Sequence, residues 1–189
     1  MTAVYLAPWR IDVTIRDAVI DAHGGRRPTP TAPLARAMAA ALDAAAAPSP
    51  ASIGLVLSDD AELAALNAEH LGHDGPTDVL SFPLLPTEAF PPHPGGPRRL
   101  AASAATTAPF PGPPGRRVHL GDIVLSVERA RAQAAEGRGG QTGDVRWSAD
   151  DELRLLVTHG ALHICGWDHS EPDEEREMRA LEQRLLAQT

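Results

Sequence analysis

Three histidines within one short run carry the most specific chemistry in this chain: His159, His163 and His169, in Thr158-His159-Gly160-Ala161-Leu162-His163-Ile164-Cys165-Gly166-Trp167-Asp168-His169. Residues four apart on an α-helix stand on one face, so His159 and His163 can aim their imidazoles at a single point. Gly166 sits where a helix commonly stops, because glycine accepts the left-handed conformation that reverses the chain, and the turn can bring His169 back to that point. Three neutral nitrogen donors with no fourth protein ligand nearby are typical of a catalytic zinc site, in which water fills the open position. Structural zinc sites are closed and rich in Cys.

The spacing equals that of the zinc-protease pattern H-E-x-x-H-x-x-G-x-x-H. The Glu position is Gly160 here, so peptide hydrolysis would lack its general base. Cys165 lies beside the cluster, but adjacent helical residues point in different directions, and His163 already faces the metal. Cys165 therefore reads as small buried filler.

The helix that presents the first two histidines begins near Ser148, with Asp151 at capping-box spacing, and Leu153, Leu156, Val157 and Leu162 form its inner stripe. A last helix follows Ser170, with Met178, Leu181 and Leu185 at helical intervals. Upstream, Val4 to Ile15 reads as a strand entered through a turn at Pro8, Asp21 to Pro33 as a loop and Leu34 to Ala46 as an Ala-rich helix ending before Pro48 and Pro50. Ser52 to Leu57 is a short β-branched strand. Ser58 and Asp59 cap the next helix, Glu62 completes a capping box, and Leu63, Leu66 and Leu71 make its inner stripe. Thr77 to Phe82 is extended, Val118 to Leu125 is a strand, and Ser126 caps a helix through about Ala135. The segment from about 86 to 117 is rich in Pro, Gly, Ala, Thr and Ser, a composition that predicts a disordered insertion. A second flexible loop is expected over 136–144.

The 189 residues suit a single domain spanning 1–189. The net charge of −8 argues against a uniformly basic nucleic-acid surface and leaves room for a local Arg-lined groove. All seventeen basic residues are Arg, a fork well suited to phosphate oxygens, although the absence of Lys fits genome composition better. One cysteine fits a reducing compartment, and neither a secretory leader nor a membrane-length apolar run is evident, so a cytoplasmic, non-membrane protein is expected.

Three blocks in order make the chain resemble a known family. They are Leu66-Asn67 leading to Asp74-Gly75-Pro76-Thr77-Asp78-Val79-Leu80-Ser81-Phe82-Pro83, then Leu120-Gly121-Asp122-Ile123-Val124-Leu125-Ser126, and finally His159 through His169. Together they resemble the YbeY endoribonucleases, the bacterial rRNA maturation factors, over about Val13 to Leu186. The resemblance implies an α/β fold with a small mixed β-sheet flanked by helices and a three-His metal site at a helix end. It implies one Zn2+ per chain on His159, His163 and His169, with Pro76-Thr77-Asp78 lining the cleft. It also implies a single-strand-specific, metal-dependent endoribonuclease acting in 16S rRNA 3′-end maturation and ribosome quality control. Its partners would be ribosomal RNA, the small ribosomal subunit and associated assembly factors. The family's Tyr-Arg pair is replaced by His70 and Leu71 here, a loss for which His70, Arg98, Arg99, Arg116 or Arg117 could compensate.

The expected chemistry is zinc-assisted cleavage of a phosphodiester, with a metal-bound water acidified toward about pKa 7 and the nucleophile open between water and the ribose 2′-hydroxyl. Asp78 and Asp168 are candidates to orient the ligands. For Asp168 a turn-stabilising role is equally consistent, and Asp122 reads as a structural hydrogen bonder. Two rivals stand beside this expectation: a metal-dependent hydrolase of another substrate class, and a non-catalytic, zinc-containing ribosome-assembly factor.

Overall fold

A computed structural model describes residues 1–96, 117–137 and 147–188. Five strands form one sheet in the order β1-β2-β3-β5-β4: β1 (Thr2–Leu6), β2 (Trp9–Ile15), β3 (Ala51–Ser58), β4 (Val79–Pro83) and β5 (Val118–Ser126). β2, β3 and β5 run parallel, while β1 and β4 pair antiparallel at the two edges. The sheet is mixed, and the helices α1 (Asp17–Ala22), α2 (Thr31–Ala44), α3 (Asp60–Leu71), α4 (Val127–Ala135), α5 (Ala149–Ile164) and α6 (Pro172–Leu186) surround it.

Alternation along the strands decides which face is buried. Ile11 and Val13, then Ile53, Leu55 and Leu57, then Leu120, Ile123 and Leu125 all point into the main core, where Leu34, Met38, Leu153, Val157, Ala161 and Leu162 meet them from α2 and α5. Val56, Leu80, Phe82 and Val124 point the other way, against Leu63 and Leu66 of α3. α5 is the central helix, packing on α2, α4, α6, β4 and β5. Its start is set by the full capping box that the sequence predicts. The Ser148 hydroxyl accepts from the Asp151 backbone N–H, and the Asp151 carboxylate accepts from the Ser148 backbone N–H.

Gly121 sits at φ 150°, beside an irregularity that shifts the β3–β5 register between Ser52 and Gly54. A Cβ there would lie 2.3 Å from the Phe82 carbonyl oxygen and 2.8 Å from Ile164 Cδ1. Glycine at this point lets β4 and the end of α5 close onto β5.

The structure differs from expectation in four places. The turn expected at Pro8 forms, but the residues before it, Thr2–Leu6, are a strand too, so the expected single strand is a hairpin. The expected Asp21 to Pro33 loop is bounded by α1 and by an early start of α2, which holds Pro33 in its first turn, where no backbone N–H is required. The capping box of α3 forms only in part. Asp59 accepts from the Glu62 N–H, but the Glu62 side chain turns to Ser58 and Arg16. Finally, residues 86–96 of the segment expected to be disordered are folded: a 3-10 turn spans Thr87–Ala89 and Phe90 is 3% exposed in the core. A composition average over 86–117 conceals the anchor at Phe90. Residues 97–116 of that segment, with Arg98, Arg99 and Arg116, lie outside the described residues, as does the expected 136–144 loop beyond Gly137.

Candidate metal centre

α5 delivers His159 and His163 one turn apart, and the chain leaves the helix through Cys165 and Gly166, the latter at φ 83°. The Gly166 and Trp167 backbone N–H groups donate to the carbonyls of His163 and Leu162, closing a left-handed helix end. The turn then carries His169 back over the two helical rings. One ligand nitrogen from each of His159, His163 and His169 lies within 4.8 Å of the others, the one such three-residue group among the described residues. The ring centroids are 4.5, 5.0 and 5.5 Å apart.

The outer nitrogens fix the tautomers. His159 Nδ1 lies 2.7 Å from Glu182 Oε1 on α6, and His163 Nδ1 lies 2.9 Å from the Trp167 carbonyl oxygen. Both partners accept, so both Nδ1 atoms carry hydrogen and donate, leaving each Nε2 with a lone pair in the neutral ring. Those two Nε2 atoms are 3.0 Å apart. Burial, with repulsion from the neighbouring His159 and His169, pulls the His163 imidazole down to about 4, so this ring is neutral at physiological pH. At this distance the two Nε2 atoms need a proton or a metal ion between them. A tetrahedral zinc ion with nitrogens at about 2.0–2.1 Å would hold them roughly 3.3 Å apart, so the donor set and its spacing fit such an ion.

Glu182, 8% exposed, orients a candidate ligand, and sequence reasoning missed it. A signal existed: Glu182 falls on the inward stripe of α6, four residues after Met178, where a carboxylate needs a buried partner. Of the carboxylates expected to orient ligands, Asp168 accepts from the His169 backbone N–H at 2.8 Å and the Ser170 hydroxyl at 2.8 Å. The first of these bonds, with the second, holds its carboxyl below the usual range. Asp168 thus shapes the turn that carries His169, a candidate ligand. Asp78 caps β4 through the Val79 N–H at 2.9 Å and accepts from Gln133 Nε2 at 2.9 Å. It lines the cleft and binds the loop to α4.

Gly160, where the protease pattern has Glu, faces the sheet. A Cβ there would lie 3.0 Å from Ile123 Cγ2 and 3.1 Å from Ser81 Oγ, whose hydroxyl donates to the Gly160 carbonyl. Close packing of α5 on β4 and β5 means that even a methyl here requires its neighbours to give by a few tenths of an ångström. Cys165 is 2% exposed, and burial pushes its thiol up to about 12. Asp122 lies away from the histidines, against Gly54 and 3.3 Å from His119 Nε2.

Two cavities flank the histidines. One, of about 660 Å³, runs from His159, His163, Asp168 and His169 along β4 to His70, Leu71, Phe82 and Pro83. The other, of about 380 Å³, lies between α4, α5 and α6 and is bordered by Asp78, Gln133 and Glu182. His70 meets Phe82 edge to face at 5.1 Å, and Leu71 is 57% exposed. Arg117 does not reach the cleft, since its guanidinium donates to the Pro8 carbonyl in the β1–β2 turn.

The family model described as Endoribonuclease YbeY matches residues 28–189. The chain is 44% identical over 137 residues to an endoribonuclease YbeY of Salinispora tropica, covering 72% of this chain and 73% of that one. It is 43% identical over 136 residues to that of Mycolicibacterium smegmatis and 44% identical over 136 to that of Mycobacterium ulcerans, each match covering 72% of this chain and 62% of the relative. The matched region is thus under two-thirds of the mycobacterial proteins' length. A solution structure of a Thermotoga maritima protein aligns with a TM-score of 0.48 and 18% identity over 93% of this chain and 86% of that one.

Proposed function

The chain belongs to the YbeY endoribonuclease family, and from that premise we propose that it is a zinc-dependent endoribonuclease that cuts single-stranded RNA during rRNA maturation. The substrate would be ribosomal RNA, notably the 3′ end of the small-subunit RNA, and the site of action the cytoplasm, where small subunits and their assembly factors are found. No helix among the described residues is long and apolar enough to cross a membrane.

One observation supports the metal reading above the rest: the paired Nε2 atoms of His159 and His163, 3.0 Å apart with both Nδ1 hydrogens already donated elsewhere. His159, His163 and His169 would hold the ion. When bound, zinc supplies a Lewis acid for a phosphoryl oxygen and acidifies a water toward about pKa 7. The protein's own groups do the positioning. Glu182 holds the proton on His159 Nδ1, the Trp167 carbonyl holds that on His163 Nδ1, and Asp168 shapes the turn of His169. The larger cleft, walled by Leu71, Leu80, Phe82 and Pro83, offers apolar and aromatic surface to an unpaired base beside the metal position. Among the described residues its lining contains no Arg; a bound ion would itself meet the phosphate charge.

The test is metal analysis coupled to cleavage of a single-stranded ribosomal RNA fragment by wild-type protein and His163→Ala purified side by side. Wild type should carry about one zinc per chain and cut, and the variant should lose both. Cleavage by a variant verified to be metal-free would reject the catalytic metal. Casein in place of RNA tests the peptidase rival, and binding to small subunits without cleavage would favour the assembly-factor reading.

A further inference from the structure

The turn from Gly166 to His169 carries a candidate ligand with no helix behind it, yet it is tightly held. Trp167 is 7% exposed. The Asp168 backbone N–H donates to Glu174 Oε1 at 3.1 Å, tying the turn to the first part of α6. A third tie comes from the segment leading out of β4. The His93 ring stacks on Trp167 with centroids 4.2 Å apart and planes at 15°. Its Nε2 lies 3.1 Å from the Gly166 carbonyl oxygen and 3.4 Å from Glu174 Oε1.

Both of those oxygens accept, so His93 Nε2 must carry hydrogen to satisfy them. The backbone around His93 is equally close: a Cβ on Gly95 would lie 2.8 Å from the Asp173 carbonyl oxygen, and one on Gly96 would lie 2.5 Å from the His93 ring. Thr87 closes the other side of Gly166, 3.1 Å from where a Cβ would stand. Phe90, between Thr87 and His93, is anchored in the core. The segment therefore grips the junction of α5 and α6, at the residues that set where the His169 turn departs and returns.

We propose that His93 is a positioning residue for the metal centre, fixing the Gly166–His169 turn so that His169 is presented to the same ion as His159 and His163. The role rests on the metal reading of the preceding subsection. A preformed turn means that little ordering has to accompany metal binding, so His93 acts on affinity while touching no ligand.

The test measures zinc affinity by competition with a chromophoric chelator, and the ligand-field spectrum of the cobalt(II)-loaded protein, for wild type, His93→Ala and His93→Gln. Loss of the clamp in His93→Ala should weaken zinc about 10- to 100-fold and alter the cobalt spectrum. His93→Gln, whose amide can donate to the Gly166 carbonyl, should recover most of the loss. A His93→Ala protein that binds zinc as tightly as wild type while melting earlier would mark His93 as packing alone and overturn the proposal. Should the alanine variant not fold, His93→Phe keeps the stack without the donor. Tighter binding by the Gln than by the Phe variant then supports the clamp, and equal affinity overturns it. Failure of the wild type to bind zinc would instead remove the metal reading itself.

Discussion

Glu182 Oε1 lies 2.7 Å from Nδ1 of His159, so a carboxylate on the last helix fixes the ring tautomer of a candidate ligand on the helix before it. Glu182→Gln keeps an acceptor but removes the charge. It should weaken zinc binding about 10- to 100-fold, as loss of a ligand-orienting partner commonly does, with cleavage falling in parallel. Chelator competition measures this directly. Unchanged affinity would remove Glu182 from the site.

Gly160 decides between two enzyme classes by packing. Gly160→Ala gains about 1 kcal/mol of helix propensity, but it pushes a methyl to 3.0 Å from Ile123 Cγ2. Overpacking of this kind costs about 1–3 kcal/mol, so the variant should be less stable by up to about 2 kcal/mol in urea melts. Gly160→Glu, which would restore the protease pattern, should fold poorly and gain no casein hydrolysis. A stabilised alanine variant would show that the sheet yields more readily than its contacts imply.

The Cys165 thiol, 2% exposed and pushed up to about 12 by burial, should be inert at neutral pH. Ellman's reagent should find no reactive thiol in the native protein and one after denaturation. Rapid native labelling would contradict the burial of the α5 terminus.

Glu62 predicts an acid dependence. The Arg16 guanidinium grips its two oxygens at 2.8 and 2.5 Å and, with help from Ser58 and against burial, holds the carboxyl below its ordinary value of about 4.5. A depressed folded value means the pair stabilises fully above about pH 4.5 and the contribution disappears as pH falls through the lower folded value. The pair is partly exposed, 47% for Arg16 and 30% for Glu62, so the difference between wild type and Glu62→Gln should be under about 1 kcal/mol at pH 7. Urea melts at pH 7 and 3.5 should show that gap shrinking. A gap that widens in acid would reverse the assignment.

The parts of the site that were legible in the sequence are those whose causes are local. The Ser148 and Asp151 cap, the Leu153, Leu156, Val157 and Leu162 stripe, the four-residue histidine spacing and Gly166 all act within a few residues, and each appears in the structure as read. Glu182 and His93 act across 23 and 73 residues of chain, and no periodicity pairs residues so far apart. The same limit explains α3: Glu62 has the spacing of a capping box, yet its side chain is drawn to Arg16, 46 residues away. Mixed strand directions likewise follow from how β1 and β4 come back along the edges, which the residues of either strand do not specify.

Two of the three candidate donors ride on a capped helix of sixteen residues, and the third on a short turn beside it. Both are fixed by the protein's own contacts, among them the Glu174 bond and the Trp167 stack, so the donors would keep their places with no ion bound. The emptied protein would be a durable vessel into which cobalt or nickel could be dialysed without refolding.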